Sequence, residues 1–357
     1  MASYLNGETS LPDFNARFVP TTWNVAHDED ASADNHANDL YRRLAEHGND
    51  YWTVNELKDR SRPMVAAVAV PEESAPSTRR SAAVEEQPMT PSVQELYGDI
   101  WGDDDAAFEA RIGQSLDPRG PDVLYDLFAT LGPRPDETVL DVGSRDARYA
   151  VGLAQRFGCR VVAVDPVPRH FDLATAHVAA EGMGKQVAVA LAGIESLPVE
   201  DGAIDYVWCR DVLNHVDLPR GLAECARALR PSGGMLVYQT FATEAMEPNE
   251  ARRLYASMAI VPDNMAPAFF ESTSRAAGFE VVSKDVIDSE WRERWTEEGS
   301  RELLDDLLRL ARLRRLRAKL IERFGTARYE ASYGGSLWGI YQMLGKLRPT
   351  VYLLRKG

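Results

Sequence analysis

The chain has little cysteine, little histidine and no long apolar run, and each shortage excludes something. Its three cysteines, Cys159, Cys209 and Cys225, lack the paired spacing of a metal site and are too few for a disulfide framework, so a reducing cytoplasm is the expected setting and no metal is expected. No stretch reaches the roughly 20 apolar residues that cross a bilayer, and none follows Met1 to act as a signal peptide. Positive charge is also in deficit. A net charge of -15 repels phosphate backbones, so neither nucleic acid nor a membrane is an expected partner. What the chain does have is apolar residues, 45% of the total, ample for a packed core.

Glycine is missing where it would say most. The stretch "VLDVGSRDARYAVGLA", residues 139–154, reads as a buried strand, a tight turn and a helix. A dinucleotide fingerprint needs glycine at 143, 145 and 148, where this chain has Gly143, Arg145 and Arg148. A pyrophosphate would have to pass bulky side chains, which argues against a dinucleotide cofactor.

Along the chain, residues 1–69 are polar and acidic and form an N-terminal extension without the periodicity of a core of its own. Residues 70–92, rich in Pro, Ser, Ala and Glu, read as a linker. Strands and helices alternate from 93 onward, the pattern of a parallel sheet covered on both faces. Strands are expected at "TVLDVG", "RVVAVD", "QVAVALA", "IDYVWC", "MLVYQTF", "FEVVSKDV" and "TVYLLRK". The helix "LPRGLAECARALRPSGG" is closed by a Pro-Ser-Gly-Gly stop. These divisions give a core over 93–287 and a last core strand over 348–357. Between them, residues 288–347 are dominated by "SRELLDDLLRLARLRRLRAKLIERFG", whose leucines recur at helical spacing, an amphipathic helical cap inserted in the sheet.

Several residues stand where chemistry would be done. Asp141 ends the first strand, and Gly143 lets the chain turn so that the next helix presents its N-terminus above the sheet. Asp165 ends the second strand, placed either to accept hydrogen bonds from ribose hydroxyls or to cap the following helix. In "CRDVLNHV", Asp211 and His215 are four apart and share a face if the segment is helical. A histidine titrating near neutrality suits removal of a proton from an acceptor. Tyr97 and Trp101, also four apart, lie on an expected helix before the core and would either close over a ligand as a lid or pin that helix to the sheet. Trp291, Trp295, Tyr329, Tyr333, Trp338 and Tyr341 in the cap suit a flat or apolar ligand, or simple packing. The basic run Arg309, Arg312, Arg314, Arg315, Arg317 and Lys319 reads as a solvated face, a dimer contact or an anion site.

Taken together, "VLDVGS", "VVAVD", "ESLPVEDGAIDYV", "LNHV" and "ALRPSGGML" resemble the class I S-adenosylmethionine-dependent methyltransferases, in particular the small-molecule enzymes of methyltransferase domain type 11. The resemblance covers roughly 120–285 and the last strand. It implies a Rossmann-like, seven-stranded, mostly parallel α/β sheet with an antiparallel last strand, and S-adenosylmethionine as cofactor. It implies that Asp141, Gly143, Ser144 and Arg145 hold the methionine part, that Asp165 takes the ribose, and that the Ile194 backbone meets the adenine edge. The Arg210 backbone would take the cofactor's amino group. The family's usual glycines at 145 and 147 are Arg145 and Ala147, and its usual acidic residue before the adenine contact is Gly193, with Glu195 the candidate replacement. The pattern Arg-Asp-x-x-x-His is similar to that of phosphoethanolamine methyltransferases, which makes Asp211 and His215 the catalytic candidates. The expected acceptor is a small metabolite, O-methylated in preference to N- or C-methylated, selected by a pocket to which Tyr97, Trp101, Trp291 and Trp338 contribute. A homodimer through the cap is a further expectation, and a phosphobase N-methyltransferase or a non-catalytic protein of the same fold are the alternatives.

Overall fold

A computed structural model describes residues 90–100 and 106–357. The chain divides into two units, Met1–Asp105 and Ala106–Gly357. In the first, Glu95–Ile100 form a π-helical turn that carries Tyr97. The expectations for residues 1–69, most of the linker and Trp101 lie outside the described residues.

The second unit is built on seven strands: β1 (Thr138–Val142), β2 (Arg160–Asp165), β3 (Val187–Leu191), β4 (Ile204–Arg210), β5 (Leu229–Ala242), β6 (Phe279–Val286) and β7 (Leu347–Lys356). Their order in the sheet is β3-β2-β1-β4-β5-β7-β6. β1 to β5 pair in parallel, and β7 runs antiparallel to both neighbours. This is the expected Rossmann-like α/β sheet. The strand order reverses between β1 and β4, and open α/β sheets place ligands in the crevice outside the carboxyl ends at such a point.

Ten helices surround the sheet: α1 (Ala106–Ile112), α2 (Val123–Ala129), α3 (Arg148–Phe157), α4 (Pro168–Ala180), α5 (Leu218–Ala228), α6 (Pro248–Ser257), α7 (Pro267–Ala276), α8 (Glu290–Glu297), α9 (Glu302–Phe324) and α10 (Thr326–Met343). Alternation along β4 assigns the two faces. Tyr206 and Trp208 pack with Leu124 and Phe128 of α2 and Leu153 of α3, while Val207 and Cys209 pack with Leu222 of α5 and Phe270 of α7. Local chemistry fixes the helix ends. Asp217 accepts a hydrogen bond from Arg220 N at 3.1 Å to cap α5, and Gly158, at φ +70, closes α3.

Two expectations need correction. The Pro-Ser-Gly-Gly stop is the irregular start of β5 rather than a tail of α5. Leu229 already pairs with Ile204, and the register shifts before Gly234 joins Tyr206, with Ser232 turned to φ +61 between them. The cap is three helices, α8, α9 and α10, rather than one inserted amphipathic helix. Gly299 at φ +84 and Gly325 at φ +82 turn the chain where the helices part. Leu310, Leu313, Leu320 and Ile321 of α9 pack on Tyr329 and Tyr333 of α10, so these two tyrosines are core of the cap. The six basic residues of α9, Arg309 to Lys319, are all exposed.

Candidate functional site

The turn after β1 keeps a glycine-like backbone without its glycines. Gly143 lies at φ +71, Arg145 at φ +51 and Ala147 at φ +57. The first has to be glycine, since a Cβ there would overlap Cγ2 of Val212. The other two hold left-handed conformations that cost an L-residue roughly 1 kcal/mol each. Backbone hydrogen bonds impose the shape: Gly143 N and Ser144 N both donate to Val164 O, at 2.8 and 3.0 Å, and Arg145 N donates to Asp165 Oδ2 at 3.0 Å. The Arg145 side chain points away from the core and is exposed.

Within this turn two buried polar atoms have no partner among the described residues: Asp141 Oδ2 and Ser144 Oγ. Burial is the main reason that the Asp141 carboxyl is pushed up to about 7. A hydrogen bond from the Ala150 backbone and the charge of Arg210 pull it down, and Asp165 pushes it further up. A buried carboxylate oxygen and a buried hydroxyl left open side by side fit the amino-acid end of S-adenosylmethionine, whose ammonium suits Asp141.

Asp165, 6% exposed, uses both oxygens inside the protein. Oδ1 takes Val167 N and His170 Nδ1, each at 3.0 Å, while Oδ2 takes Arg145 N. The capping role is therefore real; Oδ2, with one bond, keeps a second lone pair, so a ribose contact there is compatible with it. Ile194 is buried against the place where Gly221 lacks a side chain. Glu195 folds back so that Oε2 lies 3.6 Å from where a Cβ on Gly193 would be, and Oε1 accepts Asp217 N at 3.2 Å. Its carboxylate thus stands beside the position at which the family resemblance expects an acid.

At the end of β4 the chain does not continue as a helix. Asp211 takes φ +56, its N–H bonds Tyr238 O at 3.0 Å, and only Leu213–His215 form a single 3-10 turn, so Asp211 and His215 share no helix face. They are nonetheless close enough for the charge of His215 to act on Asp211. Burial raises the Asp211 carboxyl, opposed by Arg210, His215 and Arg292. His215 is exposed, with Nδ1 3.1 Å from Ala259 O. A carbonyl only accepts, so Nδ1 carries the hydrogen and Nε2 keeps its lone pair. Two buried asparagines hold this turn. Asn264 Nδ2 donates to Leu213 O and Val216 O at 2.6 and 2.9 Å, and Asn214 Nδ2 donates to Thr240 O at 2.9 Å.

The remaining candidates separate. Trp291 of α8 is buried against the sheet, stacked on Tyr238 with ring centroids 4.9 Å apart. Trp338 of α10 packs among Met246, Leu254 and Ile340, where the cap meets α6, instead. Tyr97 is exposed, on a turn of the first unit. What the sequence reading missed is the side chain of Arg210 and its surroundings, Tyr149, Tyr238 and Arg292. Trp208 and Arg210 alternate onto one face of β4, a period-two signal present in "YVWCR", but Tyr238 comes beside Arg210 only through the β4–β5 register.

A family model described as "Methyltransferase domain" matches residues 140–237. Over 202 residues, 53% of this chain and 68% of the relative, the sequence is 28% identical to a sarcosine/dimethylglycine N-methyltransferase from Halorhodospira halochloris. Over 110 residues, 30% of this chain and 42% of the relative, it is 37% identical to a ubiquinone biosynthesis O-methyltransferase from Methylocella silvestris. The solved structure of phosphoethanolamine N-methyltransferase 2 from Haemonchus contortus, in complex with phosphomonomethylethanolamine and S-adenosylhomocysteine, is similar in fold, with a TM-score of 0.51 and 18% identity over 70% of this chain and 56% of that one. The chain spans less than half of the O-methyltransferase, and what it shares with the solved structure is the fold. Residues 140–237 match a methyltransferase domain, and the relatives and the shared fold support a class I S-adenosylmethionine-dependent methyltransferase.

Proposed function

We propose that this protein transfers the methyl group of S-adenosylmethionine to a hydroxyl of a small-molecule acceptor held between the carboxyl ends of β4 and β5 and the helical cap. The observation that carries the reading is the pair of open buried acceptors, Asp141 Oδ2 and Ser144 Oγ, on the turn after β1. Asp165 would take the ribose, and Ile194 with Glu195 would border the adenine. Cofactor contact by the backbone of Arg210 completes that half of the crevice.

The sulfonium supplies an activated methyl group, so the protein's task is alignment of the acceptor and removal of its proton. His215 Nε2, with its tautomer fixed by Ala259 O, is the base, and Asp211 is close enough to stabilise the imidazolium that results. A base is needed by a hydroxyl and not by a tertiary amine, which favours oxygen; the relatives named above include enzymes described as N- and as O-methyltransferases. The basic residues of α9 are all exposed, as on a solvated helix face, so the run gives no support to phosphobase methylation. Three free, buried cysteines suit a reducing cytoplasm.

Isothermal titration with S-adenosylmethionine and S-adenosylhomocysteine is the test. Micromolar binding of both, followed by acceptor-dependent consumption of S-adenosylmethionine, is the expected result. Absence of binding to either overturns the reading.

A further inference from the structure

Three other arginines of this unit are each held by two carboxylates. Arg119 bonds Asp285 and Glu290, Arg227 bonds Glu224 and Asp201, and Arg230 pairs with Glu137 and Asp205. Arg210 is different. Its guanidinium lies 4.8 Å from the ring centre of Tyr149, 5.2 Å from that of Tyr238 and 6.0 Å from that of Trp291. Its one ion pair, to Asp211 Oδ2, is 3.7 Å long, beyond hydrogen-bond reach. Buried Nε has no partner, and neither does Nε1 of Trp291 beside it. A guanidinium has five N–H donors, and three aromatic walls here fix its plane and leave those donors unused.

The neighbouring carboxylates do not close the gap. The left-handed backbone of Asp211 aims its carboxyl so that Oδ1 is also left without a partner. Asp141 acts on Arg210 from β1, but its open oxygen lies on the cofactor turn. Arg292, from α8, is the other charge that reaches Asp211 and Tyr238; it is tied up by Gln342 at 2.8 Å and Glu302 at 3.3 Å. With Asp141 committed to the cofactor's ammonium, the end of β4 is left with an uncompensated donor fork facing the cap.

We propose that Arg210, with Trp291 Nε1, is the anchor for an oxyanion, a carboxylate or a phosphate, carried by the methyl acceptor. The planar fork matches such a group through two parallel hydrogen bonds, and the aromatic rings hold it in register. The substrate class is then a small hydroxylated acid rather than a neutral ring. This deepens the methyltransferase reading and rests on it.

The test uses the full chain saturated with S-adenosylhomocysteine, observing the 15N–H signals of arginine Nε and tryptophan Nε1 during titration with acetate, inorganic phosphate and acetamide. A saturable shift of the Arg210 and Trp291 signals with acetate or with phosphate is expected, and none with acetamide. Whichever anion acts distinguishes a carboxylate from a phosphate acceptor. Arg210→Lys keeps the charge but loses the fork, so about tenfold weaker anion binding is expected, and Arg210→Met abolishes it. Arg210→Lys, which keeps the charge that acts on Asp141, should bind S-adenosylhomocysteine within about twofold of the parent, as expected when no cofactor contact uses the side chain. Equal responses to acetate and acetamide, no saturable response, undiminished anion affinity in Arg210→Lys, or a response that persists in Arg210→Met overturns the proposal. So does a large loss of S-adenosylhomocysteine affinity in Arg210→Lys, which would give Arg210 to the cofactor. Failure of the parent to bind S-adenosylhomocysteine overturns the methyltransferase reading instead, and the anion titration without it still reads Arg210.

Discussion

Both halves of the crevice leave buried polar atoms open, but they differ in how the charge beside those atoms is held. On the β1–β2 side the shape of the loop is fixed by hydrogen bonds: Asp165 accepts from Arg145 N, Val167 N and His170 Nδ1, and two N–H groups of the turn converge on Val164 O. On the β4–β5 side Arg210 and Asp211 lie 3.7 Å apart with Arg210 Nε and Asp211 Oδ1 unpaired, although the asparagines behind them donate through Nδ2 to backbone carbonyls. A rigid cradle suits a cofactor that never changes. Open groups on a rigid backing suit an acceptor whose polar atoms must complete the set.

The largest effect should come from the acceptor half. If His215 Nε2 is the base, His215→Ala lowers turnover by roughly two to four orders of magnitude while S-adenosylhomocysteine affinity, measured by titration calorimetry, stays within about twofold. Full activity in that variant would make His215 a structural partner of Ala259 and erase the functional contrast between the halves. The cofactor half breaks differently. Gly143→Ala meets Val212 at a left-handed position, and S-adenosylhomocysteine affinity is expected to fall by about a hundredfold, with Val212→Ala restoring part of it. Undiminished affinity in Gly143→Ala would show that the cradle is softer than its hydrogen bonds imply.

A smaller effect separates the halves by pH. Asp141 has an ordinary value of 3.8 and a folded value of about 7, so without ligand the folded state holds a proton that the unfolded chain gives up. Stability should therefore decline as pH rises from about 4 to about 7 and level off above that. An ammonium placed against Asp141 favours the ionised form. S-adenosylhomocysteine should then bind about tenfold more weakly at pH 6 than above pH 7.5, with proton release visible as a buffer-dependent enthalpy. A pH-independent affinity would take Asp141 away from the cofactor.

How much of this could be read from the chain follows the same division. All seven strands show in the sequence because a sheet buried on both faces needs short apolar runs, and the runs at "VLDV" and "VVAV" are unmistakable. Asp141, Gly143 and Asp165 are legible because each ends a strand and the turn chemistry is local. Arg210 is not, because its significance depends on Tyr238 from the next strand, Tyr149 from α3 and Trp291 from α8, separations that no window spans. The cap was legible only as leucine periodicity. That α10 exists at all rests on Tyr329, Tyr333 and Ile340 packing inward, which the glycines and serines of "ASYGGSLWGI" obscure.

The smallest effect concerns the two glycines that the cradle dispenses with. Arg145 at φ +51 and Ala147 at φ +57 hold the backbone that glycine would adopt without strain. Exposed Arg145 is the cleaner probe, because removing its side chain exposes no core, whereas Ala147 is buried at the start of α3. Arg145→Gly relieves roughly 1 kcal/mol of left-handed strain and gives back part of it through the greater freedom of glycine in the unfolded chain. A net rise in melting temperature of about 1–3 °C is expected. If the exposed guanidinium does no more than this, S-adenosylhomocysteine affinity stays level. If it also neutralises the carboxylate of the cofactor, the same variant is more stable and binds about three- to tenfold more weakly. Thermal stability and affinity moving in opposite directions in one variant would show that the cofactor half, too, tolerates strain in order to present a charge.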